Sequence, residues 1–219
     1  MVCGCGGDTR ETEAEATTPA AGAVQAETIV AVGDSLTAGY GLAETSAYPA
    51  LLEKKLMLNN YPYKVINAGI SGETSSGTLS RLEWVTGTLS PGIVILETGA
   101  NDGLRGIDPA LTRRNIDAIL TSLKQRGIVV LLAGMQLPPN LGPEYTRSFS
   151  RIYPELAKKH KVILIPFFLK DVAGESGLNQ SDGIHPTARG YEKVVETIYP
   201  YVLQAITEFE DGSGRTTKP

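Results

Sequence analysis

The chain of 219 residues is poor in the residue types on which several classes of protein depend. It has 2 cysteines, both inside its first five residues as Cys3 and Cys5, and the long body behind them has none. That excludes a disulfide scaffold and a thiolate-zinc protein, and a bridge between two cysteines so close in sequence would be strained. Histidine is equally scarce: with 2 in the chain, imidazole chemistry has to come from His160 or His185. No apolar run approaches the roughly 20 residues of a membrane-spanning helix, so none is expected. A surplus of basic charge is missing as well. Residues 1–27 hold five acids against Arg10 and thereby the whole net charge of −4, and removing them from the totals of 24 and 20 leaves 19 acids and 19 bases. Without a basic stripe, nucleic acid is excluded as a partner.

Residues 1–27 also lack Leu, Ile and every aromatic residue. They bring too little apolar surface to offset the entropy of ordering and read as a flexible acidic tether. Small residues ending in Gly4-Cys5 ahead of this tether are similar to the processing site of a bacterial lipoprotein, acylated on Cys5 and held at the periplasmic face of the cell envelope. The charged start and apolar core of a signal do not precede the motif, so two readings stay open: a lipid on Cys5 tethering the chain to a membrane, or an incidental cysteine in a disordered tail. Residues 210–219 read as a second disordered tail.

Residues 28–209 have the composition of one domain. Short apolar runs at 29–32, 64–67, 93–97, 128–133 and 162–166 alternate with amphipathic stretches at 48–59, 75–89, 109–126, 143–160 and 187–209. The runs are β-branched and nearly continuous, as buried parallel strands are, and the pattern predicts an α/β fold with helices on both faces of a five-stranded parallel sheet. Asp108 caps the third helix, with Pro109 in its first turn and Leu111, Ile116, Ile119, Leu120 and Leu123 on its inner face. Pro154 and Pro200 are expected to kink or split their helices. Ligand chemistry belongs beyond the carboxyl ends of the strands.

The motifs lie there. The first strand runs into Gly33-Asp34-Ser35-Leu36, the second into Asn67-Ala68-Gly69-Ile70, the third into Gly99-Ala100-Asn101-Asp102, and Ser181-Asp182-Gly183-Ile184-His185-Pro186 precedes the last helix. A serine on a turn after a strand is a cap, a phosphate cradle or a nucleophile. The stretch is neither a P-loop nor a dinucleotide fingerprint. A hydroxyl nucleophile needs a base and a carboxylate to orient that base, and the step from Asp182 to His185 supplies both; phosphate binding has no use for the pair. A developing oxyanion needs donors, here the amides of Ser35 and Gly69 and the side chain of Asn101. Asp34 organises the loop. His160, among three lysines, reads as a solvated helix end. Ile70, Leu104, Met135, Leu137, Pro138 and Ile184 lie near the same rim and are the candidates for acyl contacts.

These four blocks, in this order over residues 28–206, resemble the SGNH (GDSL) hydrolases. Ser35, Gly69, Asn101 and His185 fall on the four family positions and Asp182 on the third member of the triad. The runs Ile70 to Ser75, Gly99 to Gly106, Leu137-Pro138-Pro139-Asn140 and Asp182 to Pro186 look like the bacterial periplasmic branch of multifunctional thioesterase, lysophospholipase and arylesterase enzymes; Ala100 departs from a Gly frequent there. The resemblance implies a flavodoxin-like three-layer α/β/α fold, no metal and no cofactor, and hydrolysis of aryl or short-to-medium acyl esters through an acyl-enzyme, extending to thioesters and lysophospholipids, by a monomer acting on small molecules. A carbohydrate acetylesterase and a non-catalytic phosphate- or flavin-binding module are the alternatives.

Overall fold

The computed structural model describes residues 1–4 and 27–213. Cys5 and most of the acidic tether, with residues 214–219, lie outside the described residues.

Five parallel strands, β1 (Glu27–Gly33), β2 (Tyr63–Gly69), β3 (Ile93–Leu96), β4 (Val129–Ala133) and β5 (Ile163–Ile165), form one sheet in the order β2-β1-β3-β4-β5. Ile29, Val30, Ala31 and Val32 of β1 and all four residues of β3 are completely buried, which is why these runs carry no polar alternation. Among the described residues the α-helices are α1 (Ser35–Ala38), α2 (Tyr48–Leu58), α3 (Ser75–Leu89), α4 (Ala100–Leu104), α5 (Pro109–Gln125), α6 (Pro143–His160) and α7 (Ala188–Ser213). Helices α2 and α7 cover one face of the sheet and α3, α5 and α6 the other, giving three layers. No helix among the described residues is long and apolar enough to cross a membrane.

Several local expectations are corrected. Neither Pro154 nor Pro200 splits its helix: α6 and α7 run through them. Each proline frees the carbonyl four residues earlier, on Ser150 and Glu196, and both of these residues are exposed, so water can take the place of the lost amide. The last helix continues to Ser213, past 209. Leu111 is 36% exposed, off the stripe that Ile116, Ile119, Leu120 and Leu123 bury; Thr112 occupies the inward place one residue on. The Asp108 cap is present, its carboxylate accepting from the Ala110 amide at 2.8 Å.

The strand order places the site. The chain passes from β1 outward to β2 and then returns to lay β3 on the other side of β1, so the loops after β1 and β3 diverge there and leave a crevice at the carboxyl edge. Gly33 and Gly69 are register partners at that edge. A Cβ on Gly69 would collide with the backbone of Thr37 and Ala38, so only glycine lets the end of β2 press against α1.

Candidate active site

Ser35 opens α1, two residues beyond the end of β1, and its Oγ lies 2.8 Å from Nε2 of His185. The other ring nitrogen of His185, Nδ1, is 2.7 Å from Oδ2 of Asp182. Asp182 Oδ1 accepts from the backbone amides of Ile184 at 3.0 Å and His185 at 3.1 Å, so one carboxylate fixes both the ring and the turn that carries it. Those contacts hold Asp182 down at about 2, the bond with the His185 ring contributing most and the His185 and Ile184 amides next. The Tyr40 ring packs on the imidazole with centroids 4.7 Å apart. Gln180 ties the two loops together: its Nε2 donates to the Tyr40 carbonyl at 2.7 Å and the Pro186 carbonyl at 3.0 Å, while its backbone amide donates to the His185 carbonyl at 2.7 Å.

Asn101 is the second residue of α4, whose N-cap is Gly99, and reaches the same crevice from β3. Its Nδ2 donates to Asp34 Oδ2 at 2.9 Å and to the Glu73 carbonyl at 3.1 Å. The Gly69 amide donates to Asn67 Oδ1 at 3.0 Å. The N–H of Ser35, in the first turn of α1, has no partner within its own helix. Below these donors Asp34 is almost completely buried, and its Oδ1 accepts from the Leu36 amide at 3.0 Å as the cap of α1.

The loop after β2 is bolted down on both sides. Arg81 holds the Glu73 carboxylate with Nε at 2.7 Å and Nη2 at 2.8 Å, and the same Nη2 reaches the Ala68 carbonyl at 2.8 Å. Asp102, buried, accepts from the Ser75 amide at 2.7 Å and the Ser75 hydroxyl at 2.5 Å.

A cleft of about 630 Å³ opens over Ser35 and His185. Of the six residues expected to contact an acyl chain, Leu104, Met135, Leu137, Pro138 and Ile184 line it, whereas Ile70 is not on its wall and is 49% exposed. The Ile70 amide is engaged by the Gly33 carbonyl, which holds that backbone against β1. Sequence reasoning missed Tyr40, Phe167, Leu169 and Ala173, which also line the cleft. The last three follow β5 in a turn-rich stretch without periodicity, and the only available signal was their place after a strand end. His160 is not a solvated end either: its Nε2 is 2.5 Å from Asp117 Oδ1 and its side chain is 12% exposed, pairing α6 with α5.

A three-layer sheet with a serine, a histidine and a carboxylate relayed over a crevice at its switch point defines the class as a serine hydrolase with an α/β/α core. Comparison with known proteins narrows it. Residues 31–193 match the GDSL-like Lipase/Acylhydrolase family. The chain is 43% identical over 175 residues to Esterase TesA of Pseudomonas aeruginosa, covering 80% of this chain and 87% of that protein. It is 42% identical over 164 residues to Thioesterase 1/protease 1/lysophospholipase L1 of Escherichia coli K12, covering 75% and 77%. The crystal structure of the psychrotrophic esterase EstA from a Pseudoalteromonas species, inhibited by monoethylphosphonate, superposes with a TM-score of 0.79 at 32% identity over 83% of this chain and 99% of that one. The chain belongs to the GDSL-like lipase/acylhydrolase family. It is a hydrolase of carboxylic esters with the three-layer fold of that family.

Proposed function

We propose that Ser35 is the nucleophile of this esterase, that His185 takes its proton and returns it to the leaving group, and that Asp182 orients His185 and steadies the imidazolium. The observation that carries the reading is the continuous relay from Asp182 to His185 to Ser35, at 2.7 and 2.8 Å, opening into the cleft. Water then hydrolyses the acyl-enzyme by the same proton path in reverse.

The oxyanion is held by the amides of Ser35 and Gly69 and the Asn101 side chain. Both hydrogens of the Asn101 amide already face acceptors, Asp34 Oδ2 and the Glu73 carbonyl. An oxyanion competes with these for one hydrogen. A bond to a charged oxygen is roughly twice as strong as one to a neutral carbonyl, so the Glu73 carbonyl yields its hydrogen and the Asp34 carboxylate keeps the amide plane fixed.

The acyl chain lies against Leu104, Met135, Leu137 and Ile184. Each methylene buried there adds about 0.8 kcal/mol until the chain leaves the cleft, which favours aryl and short-to-medium acyl esters. Thioesters and lysophospholipids react through the same acyl-enzyme, consistent with the names of the relatives. The sequence motif at Gly4-Cys5 supports a chain anchored at the periplasmic side of a cell envelope through a lipid on Cys5, which palmitate labelling of the full chain against Cys5→Ser tests.

The decisive experiment is Ser35→Ala assayed on p-nitrophenyl esters from acetate to palmitate. Hydrolysis should vanish at every length with the melting temperature nearly unchanged. Retention of more than about a tenth of the rate, equivalent to a barrier change under about 1.4 kcal/mol, would sink the nucleophile assignment.

A further inference from the structure

Glu97 follows directly on the last residue of the wholly apolar β3, and it is completely buried. Its Oε2 accepts from the Asp34 backbone amide at 3.2 Å and the Thr37 hydroxyl at 2.9 Å, and the Thr37 oxygen lies 3.5 Å from the Tyr48 hydroxyl. Its Oε1 is buried without any donor among the described residues. The Asp34 carboxyl lies close enough to the Glu97 carboxyl for each to act on the other's protonation. A Cβ on Gly33 would run into Glu97 Oε2 and Thr37 Oγ1, so the GDSL glycine is the space into which this carboxyl fits.

Two adjacent carboxyl groups, 0% and 1% exposed, cannot both ionise without a cation between them. Tyr48 from α2, Tyr153 from α6, Tyr191 from α7 and, on the Asp34 side, His185 feel their charge. The Arg81 guanidinium reaches the Gly33 carbonyl at 3.4 Å, but it is paired with the Glu73 carboxylate and makes no hydrogen bond to either acid. The donors decide where the single proton resides. Asp34 receives the Leu36 amide on one oxygen and Asn101 Nδ2 on the other, as a carboxylate should. Glu97 receives both of its donors on Oε2 and none on Oε1. An oxygen that carries its own hydrogen needs no donor, which accounts for the orphan.

We propose that Glu97 is a protonated positioning residue, whose carboxyl O–H donates to Asp34 and keeps Asp34 the ionised member of the pair that orients the Asn101 amide. Burial, the largest cause, and the neighbouring Asp34 charge both push Glu97 well above the usual carboxylate range, in keeping with this assignment. The hydrogen bonds then run in one direction, from Tyr48 to Thr37 to Glu97 to Asp34, and the one negative charge ends beneath Asn101 and within the field of His185. If Glu97 lost its proton, repulsion would drive Asp34 to take one up, and the charge-assisted grip on Asn101 would be replaced by a neutral one.

This inference rests on the proposed role of Asn101 in the site, and the test separates the two. A difference infrared spectrum of the substrate-free protein at neutral pH, wild type minus Glu97→Gln, should show the carbonyl stretch of a protonated carboxylic acid. Glu97→Ala should lower kcat about a hundredfold, the scale of losing one oxyanion donor, with KM within about threefold. Glu97→Gln, which keeps an N–H where the O–H was, should restore kcat to within about tenfold of wild type. No protonated-acid band, or a glutamine variant as slow as the alanine one, would overturn the assignment. If Glu97→Ala fails to fold, the spectrum and the glutamine variant still decide. If Ser35→Ala stays active, the reading of the site fails, while the infrared band reports on Glu97 regardless.

Discussion

Two aspartates stand one on each side of Ser35, and they are opposites. Asp182 is 37% exposed on a surface loop, accepts one imidazole and two backbone amides, and is held at about 2. Asp34 is 1% exposed at the top of the sheet; burial raises it above the ordinary carboxylate value against the pull of the Leu36, Glu97 and Asn101 hydrogen bonds. The same side chain thus serves two ends. In the open, local donors alone make a dependable anion facing the His185 ring. In the interior the protein must supply a second acid, Glu97, to manage the proton, and what it obtains is a fixed amide.

The sharpest way to break this contrast is to neutralise each carboxylate separately. Asp182→Asn leaves the loop geometry nearly intact but presents an amide to His185, favouring the wrong tautomer. It should lower kcat by about 10⁴ with only a small loss in melting temperature, because exposure screens the contacts that Asp182 makes. A steady-state assay beside a thermal melt checks both halves. A loss below about tenfold would mean that Tyr40 and the Gln180 bridge orient the ring without the carboxylate.

Asp34→Asn should do less to the rate and more to the fold. Its amide carbonyl can still cap α1, but its NH2 then faces either the Asn101 amide or the Glu97 carboxyl, leaving a buried donor or acceptor ill-matched. The expected result is a kcat about ten- to a hundredfold lower and about 1–3 kcal/mol lost from urea unfolding. An unchanged urea midpoint would show that Asp34 is not held as a buried anion.

How far these residues were legible in the sequence follows the same division. The five strands and five long helices stand out because buried parallel strands are runs of apolar β-branched residues and the helices carry 3.6-residue stripes. Helices α1 and α4, at 4 and 5 residues, are too short for periodicity and show only as glycine-rich turns. Ser35, Asp182 and His185, which the structure brings together, lie in local motifs, and Asn101 shares a strand-end position with the serine. The pairing of Asp34 with Glu97, separated by 63 residues, is a property of the order β1-β3 alone. A charge directly after a fully apolar strand was the one visible sign. Ile70 shows the converse error: adjacency to Gly69 in sequence does not put its side chain on the cleft wall.

The smallest effect sharpens the comparison most finely, because it reads the two aspartates as opposite dependences of stability on acid. The folded chain holds Asp182 at about 2, below its ordinary 3.8, chiefly through the His185 ring. Between those values the unfolded chain binds a proton that the folded chain refuses, so this contribution is complete above 3.8 and disappears as the pH falls through about 2. Asp34 is raised, so the folded chain takes up its proton before the unfolded one and its contribution runs the other way. Urea midpoints of wild type and Asp182→Asn should therefore converge as the pH is lowered across that window, whereas removing Asp34 should not produce such convergence. Screening limits the size of the effect, since Asp182 is partly exposed, and added salt should shrink the gap further. A wild-type advantage that stays constant down to about 2 would show that the His185 contact does not depend on an ionised Asp182 and would erase the distinction between the two carboxylates.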